Sequence, residues 1–248
     1  MKSRLIAALI LACNALTVPA YAQQSERFTA EVVVVSDYVL RGFSRSTSES
    51  AVQLGLAYRL PSGFVAGGWA STVRFESNAG VPDEREVELQ GYLGFGRSLG
   101  RGWSASALFV RYEFPDAGGV DNGYHEFSTS LYFRELAAVT VSYTPQYLGG
   151  AASGVFVELS GRYPLASGFD LSAGLGHSEL DFGATNTDTY TYGHVAVGRS
   201  LGRVNMSLGY YFSNAQAYPR WGQVADDNWA FVISTRLPWS TAASVRSN

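Results

Sequence analysis

The chain holds one cysteine, Cys13, and one lysine, Lys2, and both fall in a short N-terminal segment. Once that segment is removed, neither a disulfide nor a thiolate metal site can form, so stability must come from packing and ladder hydrogen bonds. Long apolar runs are also missing: only residues 5–18 form one, and that run is too short to span a bilayer comfortably. A mean hydropathy of +0.00, with 14% aromatics and 27 glycines, is too polar for helical spans. No metal-ligand spacing, phosphate loop or heptad is present, and there are only three histidines, so no metal or other cofactor is expected.

Lys2 and Arg4, the apolar run and then Ala20-Tyr21-Ala22 read as an export signal over residues 1–22, cleaved after a small-x-small site. Ile10-Leu11-Ala12-Cys13 resembles a lipoprotein box, but isoleucine at its first position and the better site downstream favour ordinary cleavage. Losing Lys2 and Arg4 leaves 21 acidic residues against 16 of the 18 basic ones, a net charge near −5, which argues against a nucleic-acid partner. Every remaining base is arginine, a bias that genomic base composition explains more simply than a need for planar guanidinium groups.

What the chain does contain is rhythm. Twelve segments of strand character run over 28–41, 51–60, 64–73, 86–99, 103–114, 124–133, 137–145, 155–163, 169–177, 190–201, 204–212 and 228–237. Connections after even segments are tight and mostly built on Gly or Pro: 61–63, 100–102, 134–136, 164–168 and 202–203. Those after odd segments are long and rich in Gly, Ser, Asn, Asp and Pro: 42–50, 74–85, 115–123, 146–154, 178–189 and 213–227. A soluble sandwich has no reason to segregate connection lengths in this way. The expected fold is therefore all-β: a 12-stranded antiparallel transmembrane β-barrel over 23–239, with short periplasmic turns, six longer extracellular loops and a C-terminal tail, 240–248.

Alternation supports this. In 155–163 the odd positions are apolar or Gly, while the even positions carry Glu158, Ser160 and Arg162. Val52, Leu54, Leu56 and Tyr58 likewise oppose Gln53, Gly55, Ala57 and Arg59. The first segment hides its phase behind four consecutive valines until Asp37 and Arg41, which the alternation turns inward with Glu31, about 13 Å apart along the strand. Aromatics near segment ends, among them Tyr38, Tyr58, Phe64, Trp103, Tyr112, Tyr124, Phe133 and Trp229, suit two girdles at headgroup level, although strand propensity alone also enriches them. Gly96-Arg97-Ser98-Leu99-Gly100-Arg101 recurs at Gly198 to Arg203, an offset of 102, and Ser62-Gly63-Phe64 recurs at Ser167 to Phe169, an offset of 105. Two echoes in the same order suggest a six-strand duplication.

Ser36-Asp37-Tyr38-Val39-Leu40-Arg41-Gly42-Phe43-Ser44 resembles the SDYxFRGxS opening motif of the TorF-type porins of proteobacteria, and Tyr92 to Gly100 is similar to a Gly-rich strand of that family. The likeness runs through most of the chain after the export signal. Leu40 stands where the family usually has Phe, Arg45 where Gln is common, and Trp239 is followed by nine further residues where such barrels often end on an aromatic. The resemblance implies an outer-membrane barrel with a porin-like role and carries no substrate with it.

By phase, the lumen would be lined by Asp37, Glu88, Glu126, Glu158 and Asp170 against Arg41, Arg59, Arg111, Arg162 and Arg236, with His194 beside them. This near balance predicts weak ion selectivity and a transverse field that orients solutes. The expected function is passive diffusion of small hydrophilic solutes, with outer-membrane lipid, lipopolysaccharide and the barrel-assembly machinery as further partners. The alternative is a barrel whose charges pair across the lumen and close it, acting structurally or adhesively through its loops. Asp83, Glu84, Glu86 and Glu88 make an acidic loop base, simplest as a solvated patch. His177-Ser178 with Asp181 is the closest approach to a hydrolase cluster, but neighbours on a strand face opposite ways, so no catalytic residue is assigned.

Overall fold

The computed structural model describes residues 27–74, 86–115, 122–134, 136–183, 186–215 and 222–237. The export signal at 1–22, Asp83 and Glu84 of the acidic patch, and the tail at 240–248 lie outside the described residues.

Twelve strands close into one antiparallel barrel. In chain order they are β1 (Phe28–Val35), then β4 (Ala51–Arg59), β5 (Phe64–Val73), β6 (Glu86–Gly100), β7 (Trp103–Glu113), β8 (Tyr124–Phe133), β9 (Ala137–Thr144), β10 (Ser153–Pro164), β11 (Phe169–Asp181), β12 (Thr187–Leu201), β13 (Val204–Ser213) and β14 (Asn228–Leu237). The cylinder is sealed by β1 against β14, with Glu31 opposite Arg236 and Val34 opposite Ile233, so the barrel presents no free edge. The remaining pair, β2 (Val39–Leu40) and β3 (Phe43–Ser44), is a small separate sheet.

Side-chain phase decides what each surface meets. Leu54, Leu56, Leu93, Phe127, Leu159 and Leu175 all stand out from the wall, with Leu93 63% exposed, whereas Gln53, Glu88, Glu126 and Ser142 on the other face are buried. An exterior this apolar over a polar interior inverts the water-soluble arrangement and fits a wall bathed in hydrocarbon. At the end of the short turns the outward rings pair, Phe64 with Phe95 at 5.0 Å and Trp103 with Phe133 at 4.8 Å. At the loop end Tyr210 and Trp229 do so at 5.2 Å. Both sequence echoes fall at the turn end, at the β4–β5 and β10–β11 turns and the β6–β7 and β12–β13 turns, each pair six strands apart in the barrel.

Two expectations on segment bounds change. β11 and β12 run through most of the anticipated loop at 178–189, because Ser178, Leu180, Asp188 and Tyr190 continue the inward alternation and their ladder never breaks. The first strand, expected to reach Arg41, stops at Val35. There the chain leaves the wall, with the Ser36 amide donating to the Phe231 carbonyl at 2.9 Å and the Phe231 amide donating to the Ser36 hydroxyl at 2.9 Å.

Leu93→Arg places a guanidinium at the middle of the outer face of β6. We expect a loss of about 2–4 kcal/mol in urea unfolding from lipid vesicles, and an unchanged midpoint would contradict a hydrocarbon-facing wall.

Candidate functional site

Residues 37–46 are buried throughout, although 37–41 were expected on the first strand and 42–46 in a surface loop, because they fold into the lumen. β2 and β3 form a hairpin with Val39 opposite Ser44 and Leu40 opposite Phe43, turning through Arg41 at φ 52° and Gly42 at φ 81°. Two consecutive positive φ values are the requirement of a type I′ turn, whose twist matches short antiparallel strands. Arg41 bears the strain of a left-handed backbone with a full side chain, and Gly42 has no room for one: a Cβ there would lie 2.8 Å from Ser213 Cβ and Tyr192 Cβ. The hairpin tip thus reaches the β12–β13 wall.

Charge fixes the hairpin across the lumen. Arg41 makes a bidentate pair with Glu126 of β8, Nη1 to Oε2 at 2.7 Å and Nη2 to Oε1 at 2.8 Å. Its Nε stands 3.9 Å from Glu158 of β10, and the guanidinium lies 3.7 Å from the centre of the Phe156 ring. Arg45 donates to Glu88 of β6 at 2.6 Å and to the Tyr124 hydroxyl at 3.1 Å. The Arg45 amide donates to the Tyr38 carbonyl at 2.7 Å, closing the hairpin base, and Tyr38 packs on Trp69 with ring centres 5.5 Å apart. Asp37 accepts from the Ser44 hydroxyl at 2.5 Å; burial pushes its carboxyl above the ordinary range, against the lowering effect of Ser44 and Ser46. Fork-to-fork pairs this deeply buried resist one-sided removal, since the partner left behind would be an uncompensated charge.

Toward the turn end the lumen changes character. Beneath the hairpin a cavity of about 40 Å³ touches Arg41, Gln90, Glu126, Ser106, Ser130 and Thr140. The wall beside it is hydroxyl-lined, with Ser128 bonded to Ser142 at 2.8 Å and Ser130 to Thr140 at 2.9 Å. Further down, Arg162 donates to Asp170 at 2.9 Å, and Arg59 and Arg236 share the inner phase. His194 lies over Gly174, whose Cβ would meet its ring at 2.6 Å, and stacks on Tyr211 at 5.5 Å.

Of the residues expected in the lumen, Arg59, Glu88, Glu126, Glu158, Arg162, Asp170, His194 and Arg236 face inward on strands, whereas Asp37 and Arg41 arrive on the hairpin instead of the wall. Arg111 faces the other way. The inner face of β7 is Leu108, Val110 and Tyr112, packed in an apolar cluster, so Arg111 falls on the outer face and pairs with Glu113 at 2.7 Å near the loop end. Tyr38, Tyr112 and Tyr124, expected in a girdle, are buried inside, Tyr112 stacked on Tyr124 at 4.3 Å. His177 is on the outer face and Ser178 on the inner, so these two side chains do not meet. No group of three or more His, Cys, Asp or Glu that could hold a metal ion occurs among the described residues. Arg45, Phe156 and Gln90 escaped the sequence reading. The available signal was Arg41-Gly42 between apolar Leu40 and Phe43, a hairpin pattern across the junction of the expected first strand and first loop.

Gly42→Val combines a forbidden backbone with a steric clash, so the hairpin should leave its seat. Trypsin should then cut after Arg41 or Arg45 at least tenfold faster than in the unaltered protein, with Gly42→Ala intermediate; equal rates would show that the tip is not packed against Ser213.

By structure the chain is similar to the COG4313 outer membrane channel from Pseudomonas putida F1 (14% identity, TM-score 0.54, 87% of this chain and 97% of that one). It is also similar to the NanC porin (9% identity, TM-score 0.54, 86% and 100%) and to LpxR from Salmonella typhimurium (10% identity, TM-score 0.52, 85% and 100%). At these identities the likeness establishes the barrel fold. No curated protein matches by sequence. Residues 20–236 match a single family throughout, and the chain belongs to it: the Gcw_chp family, described as bacterial proteins of unknown function.

Proposed function

We propose that this protein is an outer-membrane channel for small hydrophilic solutes, and not an enzyme, whose outer half is closed by its first loop. The observation that carries the reading is the distribution of polarity around a sealed barrel: an outer face of leucines, valines and aromatics, with buried carboxylates, hydroxyls and guanidinium groups gathered inside among apolar clusters. A barrel built only to anchor loops could fill its interior with apolar side chains; this one keeps a hydroxyl-lined lower lumen with Arg59, Arg162 and Arg236 around it. The long connections face the cell exterior and the short turns the periplasm, after export by the signal at 1–22. Lipid and lipopolysaccharide surround the wall, and the barrel-assembly machinery inserts it. The likeness of Ser36 to Ser44 to the opening motif of the TorF-type porins supports this reading, in which that motif is the plug itself.

The second reading, a closed barrel acting through its surface loops, draws on the same hairpin, because a buried plug held by two ion pairs obstructs the outer lumen. Planar-bilayer recording separates the two. Replacing 38–46 by a Gly-Ser linker should raise unitary conductance severalfold over that of the intact protein. Absence of unitary current from both proteins would favour the closed structural barrel.

A further inference from the structure

The charge in the outer half of the lumen is divided unequally between wall and hairpin. The strands supply Glu86 and Glu88 from β6, Glu126 from β8, Glu158 from β10 and Asp188 from β12, all directed inward. Among the described residues no strand supplies a guanidinium group to that half: Arg111 faces outward, Arg59, Arg162 and Arg236 lie at the turn end, and the inward imidazole of His194 stands at mid-strand on β12. Among the described residues, the guanidinium groups paired with these wall carboxylates are Arg41 and Arg45, carried in by the hairpin.

Arg41 is seated as a ligand would be. Its plane is held by a carboxylate fork on one side, a second carboxylate lies at its Nε, and an aromatic ring covers its face. The site also has acceptor capacity that Arg41 does not use. Gln90, 5% exposed and lining the same cavity, donates through its amide nitrogen to Glu88 at 2.7 Å, while its amide oxygen has no hydrogen-bond donor. Buried acceptors without donors are costly to maintain. Carboxylates, an orphan amide oxygen and an aromatic face together suit a cationic donor with several N–H groups, and they disfavour an anion or a bare sugar.

We propose that the outer lumen is a binding site for organic cations bearing guanidinium or amine groups, and that Arg41 occupies it as a tethered surrogate. Such a solute would compete with Arg41 for Glu126 and Glu158, release the hairpin and so open the path to the lower lumen. The binding step stands on its own residues; the opening step rests on the channel reading.

The test uses the full-length protein with Arg41→Ser and Arg45→Ser together, which vacates the site and leaves the wall intact, and agmatine as probe, a small molecule with one guanidinium and one amine. Calorimetric titration in detergent should show agmatine binding, weakened at least tenfold by adding Glu126→Gln and Glu158→Gln, with glutamate and glucose giving no binding. In bilayers under a potassium chloride gradient, the same double variant should give a reversal potential of cationic sign. Agmatine binding without conductance would keep the site and overturn the channel; conductance without agmatine binding, or with anionic preference, would keep the channel and overturn the site. If the double variant does not fold, the intact protein decides. Agmatine should then speed trypsin cleavage after Arg41 severalfold beyond sodium chloride at the same ionic strength, and no such acceleration would overturn the proposal.

Discussion

The interaction on which the interior depends is the pairing of two hairpin guanidinium groups with carboxylates that belong to the wall. Glu88 and Glu126 are almost wholly buried, and a buried carboxylate without a partner is among the most expensive groups a protein can hold. The neighbouring strand positions supply hydrogen bonds, Gln90 to Glu88 and Ser128 to Glu126, but no counter-charge, since the other inward residues around these acids are Tyr112, Tyr124, Phe156 and Ser142. Counter-charge must come from a segment outside the barrel ladder. The loop after β1 brings it, and the lumen is shaped around that loop.

Much about the hairpin follows from that demand. A turn of two residues with positive φ puts Arg41 at the tip, where its side chain can reach β8 and β10, and Gly42 beside it lets the backbone come against Ser213 and Tyr192. Arg45, four residues on and back toward the base, reaches β6. The Tyr38–Trp69 contact and the Ser36–Phe231 bonds fix the base to β5 and β14. The plug is thus fastened at its base, middle and tip to different parts of the wall. The fastenings made by Arg41 and Arg45 are ionic, a kind of contact that a competing ion can exchange, whereas the contact of Phe43 with Tyr190 is apolar.

The barrel itself was legible because lipid leaves the chain little freedom. Period-two alternation such as Val52 to Arg59 and the segregation of short from long connections follow from a closed sheet with hydrocarbon on one side, and the strands Phe64–Val73, Tyr124–Phe133 and Asn228–Leu237 have the bounds that pattern implies. The lumen was less legible, because alternation reports which residues share a face and not what fills the space beyond it. Phase in the segment 103–114 is ambiguous, and the inward expectation for Arg111 fails: near the loop end Glu113 is at hand to pair with it on the outer face, and the inner face is taken by Leu108 and Val110. Tyr112 and Tyr124 looked like interface residues because they sit near strand ends, yet they join Leu108, Val110 and Phe114 in an apolar cluster on the inner wall, beside Arg45 of the hairpin. A loop folding inward has no periodic signature; its trace was the pair Arg41-Gly42 between apolar Leu40 and Phe43.

The account stands on the Arg41–Glu126 pair holding the hairpin in the lumen, and a double-mutant cycle read by hydrogen exchange at the Arg45 amide tests it most directly, since that amide closes the hairpin. Arg41→Ala and Glu126→Ala should each speed exchange there by about a hundredfold to a few thousandfold, in line with the roughly 3–5 kcal/mol cost of breaking a buried pair, and the two together should be little worse than either alone. Exchange at the open-chain rate in the unaltered protein, or single effects that simply add, would contradict it.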